Sequence, residues 1–381
     1  MRFSISQFIK LREKNQLSFY EQAAQRIKGS DRLEKEIVEP LLTWYNANKR
    51  ALPWRDRQNA YYTWISEIML QQTRVEAVKP YFERFVERLP NIEALANCPE
   101  EELLKLWEGL GYYSRVRNLQ EAALQVMERH GGCLPADFDA LLSLKGIGRY
   151  TAGAIASIAY GIPVPAVDGN VLRVITRITE NPADIMKQSV RLSVENELLE
   201  VIPAQKPGEF NQAWMELGAL VCVPGRPPKC EKCPVREFCL ACLHGTQADF
   251  PVKPKKKPRT VEDRTVLVIQ DGSRTAIQRR PREGLLAGLY ELPNAAGHMD
   301  EQEAVEYVRQ MELEPLYIEA LPDAKHIFSH IEWRMKAYRI RVAAVEHRLS
   351  GSYFFVEKEE TQKQYAIPSA FGAYTKYMRE T

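Results

Sequence analysis

The sequence lacks the features that would place it in a membrane or outside the cell. Its 381 residues are 45% hydrophobic and 27% charged, a balance typical of folded, soluble proteins. The first residues lead quickly into charged positions and form no apolar core of a signal peptide. The longest uncharged run, residues 150–167, is rich in Gly and Ala and broken by two prolines. It predicts a close-packed helix followed by a loop, so we expect a cytoplasmic protein.

Net charge is also nearly absent, because 52 basic residues face 50 acidic ones and leave a formal charge of +2. Overall charge therefore gives no sign of a nucleic-acid-binding protein. Any contact with a phosphate backbone must come from local basic patches or from backbone amides.

Disulfides are not expected from the seven cysteines, because their distribution is uneven. Two are isolated, whereas five crowd between Cys222 and Cys242. In a large intracellular protein such crowding favours a metal or iron–sulfur site. The pattern Cys222-x7-Cys230-x2-Cys233-x5-Cys239 can hold a [4Fe–4S] cluster or a tetrahedral zinc ion. Cys230, Cys233, Cys239 and Cys242 would form a paired zinc knuckle, so the metal is left open.

Composition and periodicity divide the chain into an N-terminal extension (1–35), a helical region (36–245), a linker (246–262) and a C-terminal domain (263–381). Apolar residues three and four apart run through the second segment, which predicts an all-α region. Three prolines and five basic residues in 250–259 predict a linker, either a solvated tether or a phosphate contact. Beyond it, a hairpin signal at Asp271-Gly272 and alternation over residues 331–337 predict a separate α+β domain.

Two short motifs suit the binding of a phosphate and the placement of a carboxylate. Gly146 and Gly148 predict a tight turn that leads into a helix, whose amides and dipole favour a phosphate oxygen. An ordinary helix–helix turn has the same pattern. Asp168 precedes another helical segment, as a common N-cap does. A helix N-terminus should also lower the pKa of its carboxyl group and keep it ionised.

A third candidate is Glu67, which Trp64 and Leu70 flank at a distance of one helical turn. Apolar surroundings would raise its pKa and favour the neutral acid. A glutamate on the solvent-facing side of an amphipathic helix is the alternative. Glu67 and Asp168 together form a pair whose environments push their pKa values apart, as in an acid and its charged partner.

Together these motifs resemble the helix–hairpin–helix DNA glycosylases, the superfamily that includes endonuclease III. Four segments narrow the resemblance to the adenine DNA glycosylases of the MutY type: Leu52-Pro53-Trp54-Arg55, Ser66-Glu67-Ile68-Met69-Leu70-Gln71-Gln72-Thr73, Gly109-Leu110-Gly111-Tyr112-Tyr113-Ser114-Arg115 and Val167-Asp168-Gly169-Asn170-Val171. The resemblance extends from about residue 38 to the C-terminus. It implies an all-α catalytic region with an iron–sulfur cluster domain, followed by an α+β Nudix-like domain.

The resemblance also implies the activity, which is removal of adenine mispaired with 8-oxoguanine or guanine in double-stranded DNA. By resemblance Glu67 is the general acid, Asp168 faces the sugar and Tyr150 helps to position them. Trp54 and Arg55 belong to the adenine pocket. The DNA contacts implied are Gln72, Thr73, Tyr112, Gly146, Gly148 and Asn170, and the loop that reads 8-oxoguanine is Phe328-Ser329-His330. The cluster ligands implied are Cys222, Cys230, Cys233 and Cys239, and we expect a monomer that associates with the nucleoid.

Two departures from the family pattern change the expectations. The family usually has six residues between the first two cluster cysteines, whereas this chain has seven, and Cys242 is an additional thiol. Residues 300–304 lack the acidic metal-binding pattern of Nudix hydrolases, so the C-terminal domain should recognise rather than hydrolyse.

Two other functions are weighed against this one. A bifunctional glycosylase/lyase would carry a nucleophilic lysine where this chain has Tyr150, which cannot form a Schiff base. A non-catalytic DNA-binding module would not need the pair Glu67 and Asp168.

Overall fold

A computed structural model describes residues 33–56, 59–254, 258–345 and 353–379. The predictions for residues 1–32 lie outside these ranges. The chain divides into two compact units that do not follow its order. The first joins the described residues up to Val86 to those from Ala122 to Lys255, and the second joins Glu87–Glu121 to the residues from Lys256 onward.

Helices occupy the chain up to residue 244, and the described residues 33–254 contain no strand, as predicted. The first helices are α1 (Val38–Asn48), α2 (Pro53–Asp56), α3 (Ala60–Leu70), α4 (Val75–Arg88), α5 (Ile92–Ala96), α6 (Glu100–Leu106) and α7 (Ser114–His130). They are followed by α8 (Phe138–Leu142), α9 (Arg149–Tyr160), α10 (Gly169–Ile178), α11 (Gln188–Val201), α12 (Pro207–Leu220) and α13 (Leu240–His244). Short 3-10 turns lie at Lys35–Ile37, Cys230–Lys232 and Arg236–Phe238.

The central helix of the first unit is α9, which is buried along most of its length because its residues are small. It begins after Gly148 and ends at Tyr160, and its C-cap Gly161 has a left-handed φ of 68°. A Cβ on Gly153 would lie only 2.2 Å from the carbonyl oxygen of Pro165. This close approach confirms the predicted packed helix followed by a loop.

One hydrophobic core of this unit lies between α1, α10 and α12. Leu41, Ile175, Phe210, Trp214 and Leu217 are fully buried there. Because α10 packs against this core along its length, the residues at its first turn are held firmly in place.

The second unit contains a mixed seven-stranded sheet in the order β3-β2-β1-β6-β5, with β4 also paired to β1 and β7 to β2. Its strands are β1 (Thr260–Asp271), β2 (Arg274–Arg279), β3 (Tyr290–Glu291), β4 (Asn294–Ala296), β5 (Pro315–Ile327), β6 (Ile331–Val342) and β7 (Tyr353–Val356). Its helices and 3-10 turns are α14 (Glu301–Gln310), α15 (Lys358–Lys363), Ser369–Phe371, α16 (Gly372–Thr375) and Tyr377–Arg379. Strand β1 runs parallel to β6 and antiparallel to β2. The predicted hairpin is confirmed, because Asp271 pairs with Arg274 across a two-residue loop.

The linker is shorter than the interval 246–262. Strand β1 already begins at Thr260. At the other end the chain still contacts the helices, because Arg177 Nε donates to the carbonyl oxygen of Phe250 (3.1 Å) and the Ile185 amide donates to that of Val252 (3.2 Å). Proline and lysine content alone does not reveal these hydrogen bonds.

The helical segment Glu87–Glu121 belongs to the same unit as the sheet, which sequence periodicity did not reveal. Lys105 Nζ donates to the carbonyl oxygens of Thr361 and Tyr365, both at 3.1 Å. The amide of Ile367 donates to Glu108 (2.8 Å) and Arg117 Nη2 donates to the carbonyl of Ala287 (2.8 Å). These bonds connect residues about 170–260 positions apart in sequence.

No helix within the described ranges combines the length and apolar character needed to cross a bilayer.

Candidate active site

The first unit contains an open cavity of about 760 Å³, a size suited to a small organic ligand. Its lining brings together residues that are far apart in sequence. Of the residues singled out in the sequence, it includes Trp54, Arg55, Glu67, Gln72, Thr73, Tyr150, Asp168 and Asn170. Gly146 and Gly148 are not among its lining residues.

Glu67 lies on α3 and is only 6% exposed. The Tyr150 hydroxyl donates a hydrogen bond to its carboxylate. Burial raises the pKa of Glu67 to about 7, and the charge of Asp168 acts in the same direction. The Tyr150 bond and the positive charge of Arg55 oppose this rise. The carboxyl group is therefore buried rather than on the solvent-facing side of the helix, and it can be a neutral acid near neutral pH.

Asp168 is the N-cap of α10, as its position in the sequence predicted. Its Oδ1 accepts from the backbone amides of Asn170 (2.8 Å) and Val171 (2.7 Å), and its Oδ2 accepts from Asn170 Nδ2 (2.7 Å). The expected lowering of its pKa is wrong, because burial outweighs these bonds and raises the pKa above the usual value. The three N–H donors nevertheless favour the charged form of Asp168, whereas Glu67 has a single such donor in Tyr150.

A chain of hydrogen bonds leads from Asp168 to the cysteine loop. Asn170 donates to Asp168, and its Oδ1 accepts from Arg173 Nη2 (2.9 Å). Arg173 also donates to the carbonyl oxygens of Gly218 (2.9 Å) and Cys222 (2.8 Å). A Cβ on Gly218 would lie 2.7 Å from the Cβ of Asn170, so only glycine lets α12 approach this closely.

Tyr150 connects Glu67 to the glycine turn, because it bonds to Glu67 and is the second residue of α9. Gly146 has a φ of 71° and Gly148 is the N-cap of α9, without a side chain to satisfy the first amides. Both glycines are exposed. The predicted turn into a helix N-terminus is present, and its amides are open to a ligand.

The sequence did not single out three further polar residues of the cavity wall, Arg50, Gln212 and Glu216, which surround Arg55 of α2. Glu216 is 1% exposed and accepts hydrogen bonds from Arg50 and Arg55. Gln212 accepts from Arg55 Nε (2.9 Å). The only signal for Glu216 in the sequence is its position among the apolar residues Trp214, Met215 and Leu217.

Gln72 and Tyr112 share an unusual backbone conformation, although they belong to different units. Their φ values are 58° and 49°, in the left-handed region that residues other than glycine rarely adopt. Both side chains are exposed, Tyr112 to 47%. Such conformations persist where the surroundings hold them, and they often mark functional positions.

The segment Phe328-Ser329-His330 forms the tip of the hairpin between β5 and β6. The Phe328 ring packs edge-on against the buried Trp333, with 4.9 Å between centroids. Ser329 and His330 are exposed. Within the same unit the hydroxyl groups of Ser329 and Tyr112 share a hydrogen bond of 2.7 Å.

The five clustered cysteines line one small cavity together with Val174, Ile178, Val221 and Val235. The Lys229 amide donates to the Val221 carbonyl (3.0 Å), so the seven residues after Cys222 form a closed loop and both flanking cysteines line the cavity. In the part of the chain that the structure describes, no three Cys, His, Asp or Glu side chains are grouped to hold a single metal ion.

Comparison with known families supports both halves of the resemblance. Residues 65–203 match the HhH-GPD superfamily of base excision DNA repair proteins, and residues 265–377 match the NUDIX domain. The helical HhH-GPD region is thus followed by an α/β sheet domain of Nudix type.

Individual relatives agree with this assignment. The adenine DNA glycosylase of Mus musculus is 36% identical over 358 residues, which cover 79% of this chain and 69% of that protein. The adenine DNA glycosylase of Buchnera aphidicola from Acyrthosiphon pisum is 30% identical, covering 84% of this chain and 89% of that protein. The solved structure of a thermostable thymine-DNA glycosylase is 31% identical with a TM-score of 0.50, covering 55% of this chain and 95% of that one. The resemblance is confirmed: the chain belongs to the adenine DNA glycosylase family and is a monofunctional DNA N-glycosylase, a hydrolase of base excision repair.

Proposed function

We propose that this protein excises adenine opposite 8-oxoguanine or guanine in duplex DNA, using Glu67 as the acid and Asp168 as the counter-charge. One observation carries the proposal: two carboxyl groups share a cavity but differ in their surroundings, because burial dominates at Glu67 and favours its neutral form, whereas Asp168 has more hydrogen-bond donors that favour its charge. Glu67 is buried with a pKa raised to about 7. Asp168 accepts three N–H bonds that favour its ionised form.

In the proposed reaction the neutral Glu67 donates its proton to N7 of the flipped adenine. The protonated base becomes a better leaving group, so the bond between C1′ and N9 breaks and its electron pair leaves with the base. A positioned general acid contributes about 10²- to 10⁴-fold. Tyr150 holds the Glu67 carboxyl group at the point where the proton is needed.

Asp168 stabilises the oxocarbenium ion that forms at the sugar, electrostatically or through a transient covalent bond. Its bonds to the first turn of α10 prevent the carboxylate from rotating away. Water then adds to C1′ and transfers a proton to the Glu67 carboxylate, which completes the hydrolysis and restores the neutral acid. Tyr150 has no amine with which to open the sugar as a lyase does.

The remaining contacts place the base in the cavity. The exposed turn at Gly146 and Gly148 would bind a backbone phosphate through the N-terminus of α9. Gln72, with Thr73 beside it, and Tyr112 would fill the space that the flipped base leaves in the stack. Asn170 would also contact DNA, because it lies beside Asp168 in the cavity lining. The left-handed backbone of Gln72 and Tyr112 supports this role, because it interrupts the regular backbone conformation at the two residues whose side chains are exposed.

In the adenine pocket itself, Trp54 packs edge-on against Phe82 with 5.4 Å between ring centroids, and Arg55 presents a fixed guanidinium. The side chains at the β5–β6 tip, Ser329 above all, would read the oxidised base opposite the adenine.

The family to which this chain belongs carries a [4Fe–4S] cluster, and the donor set fits one. A cluster binds one thiolate per iron, so its cysteines must surround a volume, whereas a zinc ion needs them within about 2.3 Å of one point. The cavity lined by Cys222, Cys230, Cys233 and Cys239 agrees with the first requirement. When bound, the cluster would fix the loop after α12. We expect about four irons per chain by elemental analysis; one zinc and no iron would support the knuckle with Cys242.

The decisive experiment is single-turnover excision on duplexes with A opposite 8-oxoguanine, G or T, with base loss scored with and without alkali. We expect strand breaks only after alkali, and fastest loss opposite 8-oxoguanine. Excision should decline as the pH rises through about 7, because Glu67 then loses its proton. Glu67→Gln should abolish excision at every pH, and full activity of this variant would refute the assignment.

A further inference from the structure

Outside the catalytic pair, the cavity contains a buried carboxylate that the proposed mechanism does not use. Glu216 lies on α12 and is 1% exposed. Its Oε1 accepts from the backbone amide of Arg50 (3.0 Å) and from Arg50 Nε (2.7 Å). Its Oε2 accepts from Arg50 Nη2 (2.9 Å) and Arg55 Nη2 (3.2 Å). One glutamate thus holds two guanidinium groups.

We propose that Glu216 is a positioning residue, which fixes Arg50 and Arg55 in the cavity wall and offsets their positive charge beside Glu67. The proposal rests on the proposed function, because it assigns Glu216 a part in adenine excision.

The geometry leaves Arg55 little freedom. Its Nε donates to Gln212 Oε1 (2.9 Å), its Nη1 to the carbonyl oxygen of Arg50 (2.9 Å) and its Nη2 to Glu216. Each nitrogen is therefore engaged, and the guanidinium plane is fixed in all directions. Since arginine has five N–H groups, two remain to meet the acceptor nitrogens of a base in the cavity. Without the Glu216 carboxylate the Nη2 side would lose its charged partner, while Gln212 and the Arg50 carbonyl oxygen would still hold Arg55 beside Glu67.

The electrostatic part follows from the charges around Glu67. Tyr150 donates to it from α9, Asp168 faces it from the start of α10, and Arg55 acts on it from α2. The positive charge of Arg55 lowers the pKa of Glu67 and so works against the neutral acid.

Glu216 stays ionised to counter this effect. Burial opposes its ionisation, but the hydrogen bonds from Arg50 and the charge of Arg55 outweigh burial and hold its pKa below the usual value. Other cationic side chains in the cavity lining are Arg173, Arg191 and Lys253. Because the cavity wall contains several positive charges, the permanent negative charge of Glu216 helps to keep the pKa of Glu67 high and stabilises its protonated form.

The test compares single-turnover excision across pH for the wild-type protein, Glu216→Gln and Glu216→Asp. Removing the charge should lower the pKa of Glu67, so the decline in rate should begin at lower pH. We expect Glu216→Gln to move the midpoint down by about half a pH unit or more, a threefold loss at alkaline pH. Glu216→Asp keeps the charge at a shorter reach, so its midpoint should stay near the wild-type value even if substrate binding weakens.

The matched control is Glu291→Gln in the second unit. Glu291 is 4% exposed and accepts from Arg280 and Gln278, so it is a buried glutamate with similar partners. We expect a lower melting temperature for this variant and an unchanged pH midpoint. If Glu216→Gln behaves in the same way, or if Glu216→Asp shifts the midpoint equally, Glu216 is only a structural ion pair and the inference is overturned.

Arg50→Met covers the case in which Glu216→Gln fails to fold. It removes a positive charge and leaves Glu216 with Arg55 and the backbone amide of residue 50, so the midpoint should move up. A midpoint that stays or moves down would overturn the inference. A wild-type protein that leaves adenine in place would refute the proposed function itself, whereas a normal wild-type profile with no shift in these variants would refute only the role of Glu216.

Discussion

Replacing Asp168 by Asn separates the three roles that this side chain combines: helix cap, hydrogen-bond acceptor and charge. As a cap, Asn is nearly as good as Asp. Its Oδ1 can accept from the amides of Asn170 and Val171, as the carboxylate does. Its amide group, however, would face the Nδ2 donor of Asn170. Rotating the Asn170 amide group by half a turn would present its oxygen to residue 168. Its Nδ2 donor would then face Arg173 Nη2, which now donates to Asn170 Oδ1.

One donor therefore remains unsatisfied in either arrangement, which costs about 1–3 kcal/mol of folding stability. The effect on excision should be larger, because the sugar loses its counter-charge. Removing one preorganised electrostatic group typically costs about 10²- to 10³-fold in rate. We expect at least this loss in single-turnover excision, together with a modestly lower melting temperature.

The double variant Asp168→Asn with Asn170→Asp is the matched control. It reverses the direction of the bond between the two side chains, so the amide at 168 donates to a carboxylate at 170, which still accepts from Arg173. Stability should return to near the wild-type value, while excision should not, because the charge has moved. If excision returns with stability, or if Asp168→Asn alone stays within a few-fold of the wild-type rate, Asp168 is a cap and not a catalytic group.

Three further substitutions test other parts of the structure. Tyr150→Phe removes a hydrogen bond that lowers the pKa of Glu67, so the decline in the pH profile of excision should move up by about half to one unit, with a lower maximal rate; a downward shift would contradict the geometry. Gly218→Ala must displace Asn170, so excision should fall at least about tenfold while the protein stays folded by circular dichroism; an unchanged rate would show that the bond chain to Asp168 tolerates movement. Ser329→Ala should reduce the preference for adenine opposite 8-oxoguanine over adenine opposite guanine by about 5- to 150-fold in competition assays; equal loss on both duplexes would remove the reader role.

Much of the fold was predictable from the sequence, because local rules determine it. The 3.6-residue periodicity of the helical region, the Asp271-Gly272 turn and the alternation along β6 each depend on residues close in sequence. The N-cap at Asp168 follows the same logic, since the capping amides are two and three residues away.

The parts that escaped prediction depend on distant residues. Glu216 accepts a hydrogen bond from Arg50, which lies 166 positions away in the chain, and no local sequence pattern predicts this contact. The pKa of Asp168 was expected to fall because the helix N-terminus was the only visible influence, whereas its burial depends on the packing of several helices. The inclusion of Glu87–Glu121 in the second unit likewise depends on hydrogen bonds to residues far along the chain.

That last feature has a consequence for how this enzyme can be dissected. Tyr112 lies in the segment Glu87–Glu121, and its hydroxyl is bonded to Ser329. Deleting everything after residue 256 would remove the proposed recognition module, and it would also remove Ala287, Thr361 and Ile367, to which Arg117, Lys105 and Glu108 are bonded. The phenotype of such a truncation would combine two effects, the loss of the proposed lesion-reading loop and the loss of structural support for Tyr112. Truncation at the linker therefore cannot separate the two effects in this chain. Single substitutions at the tip of the β5–β6 hairpin can.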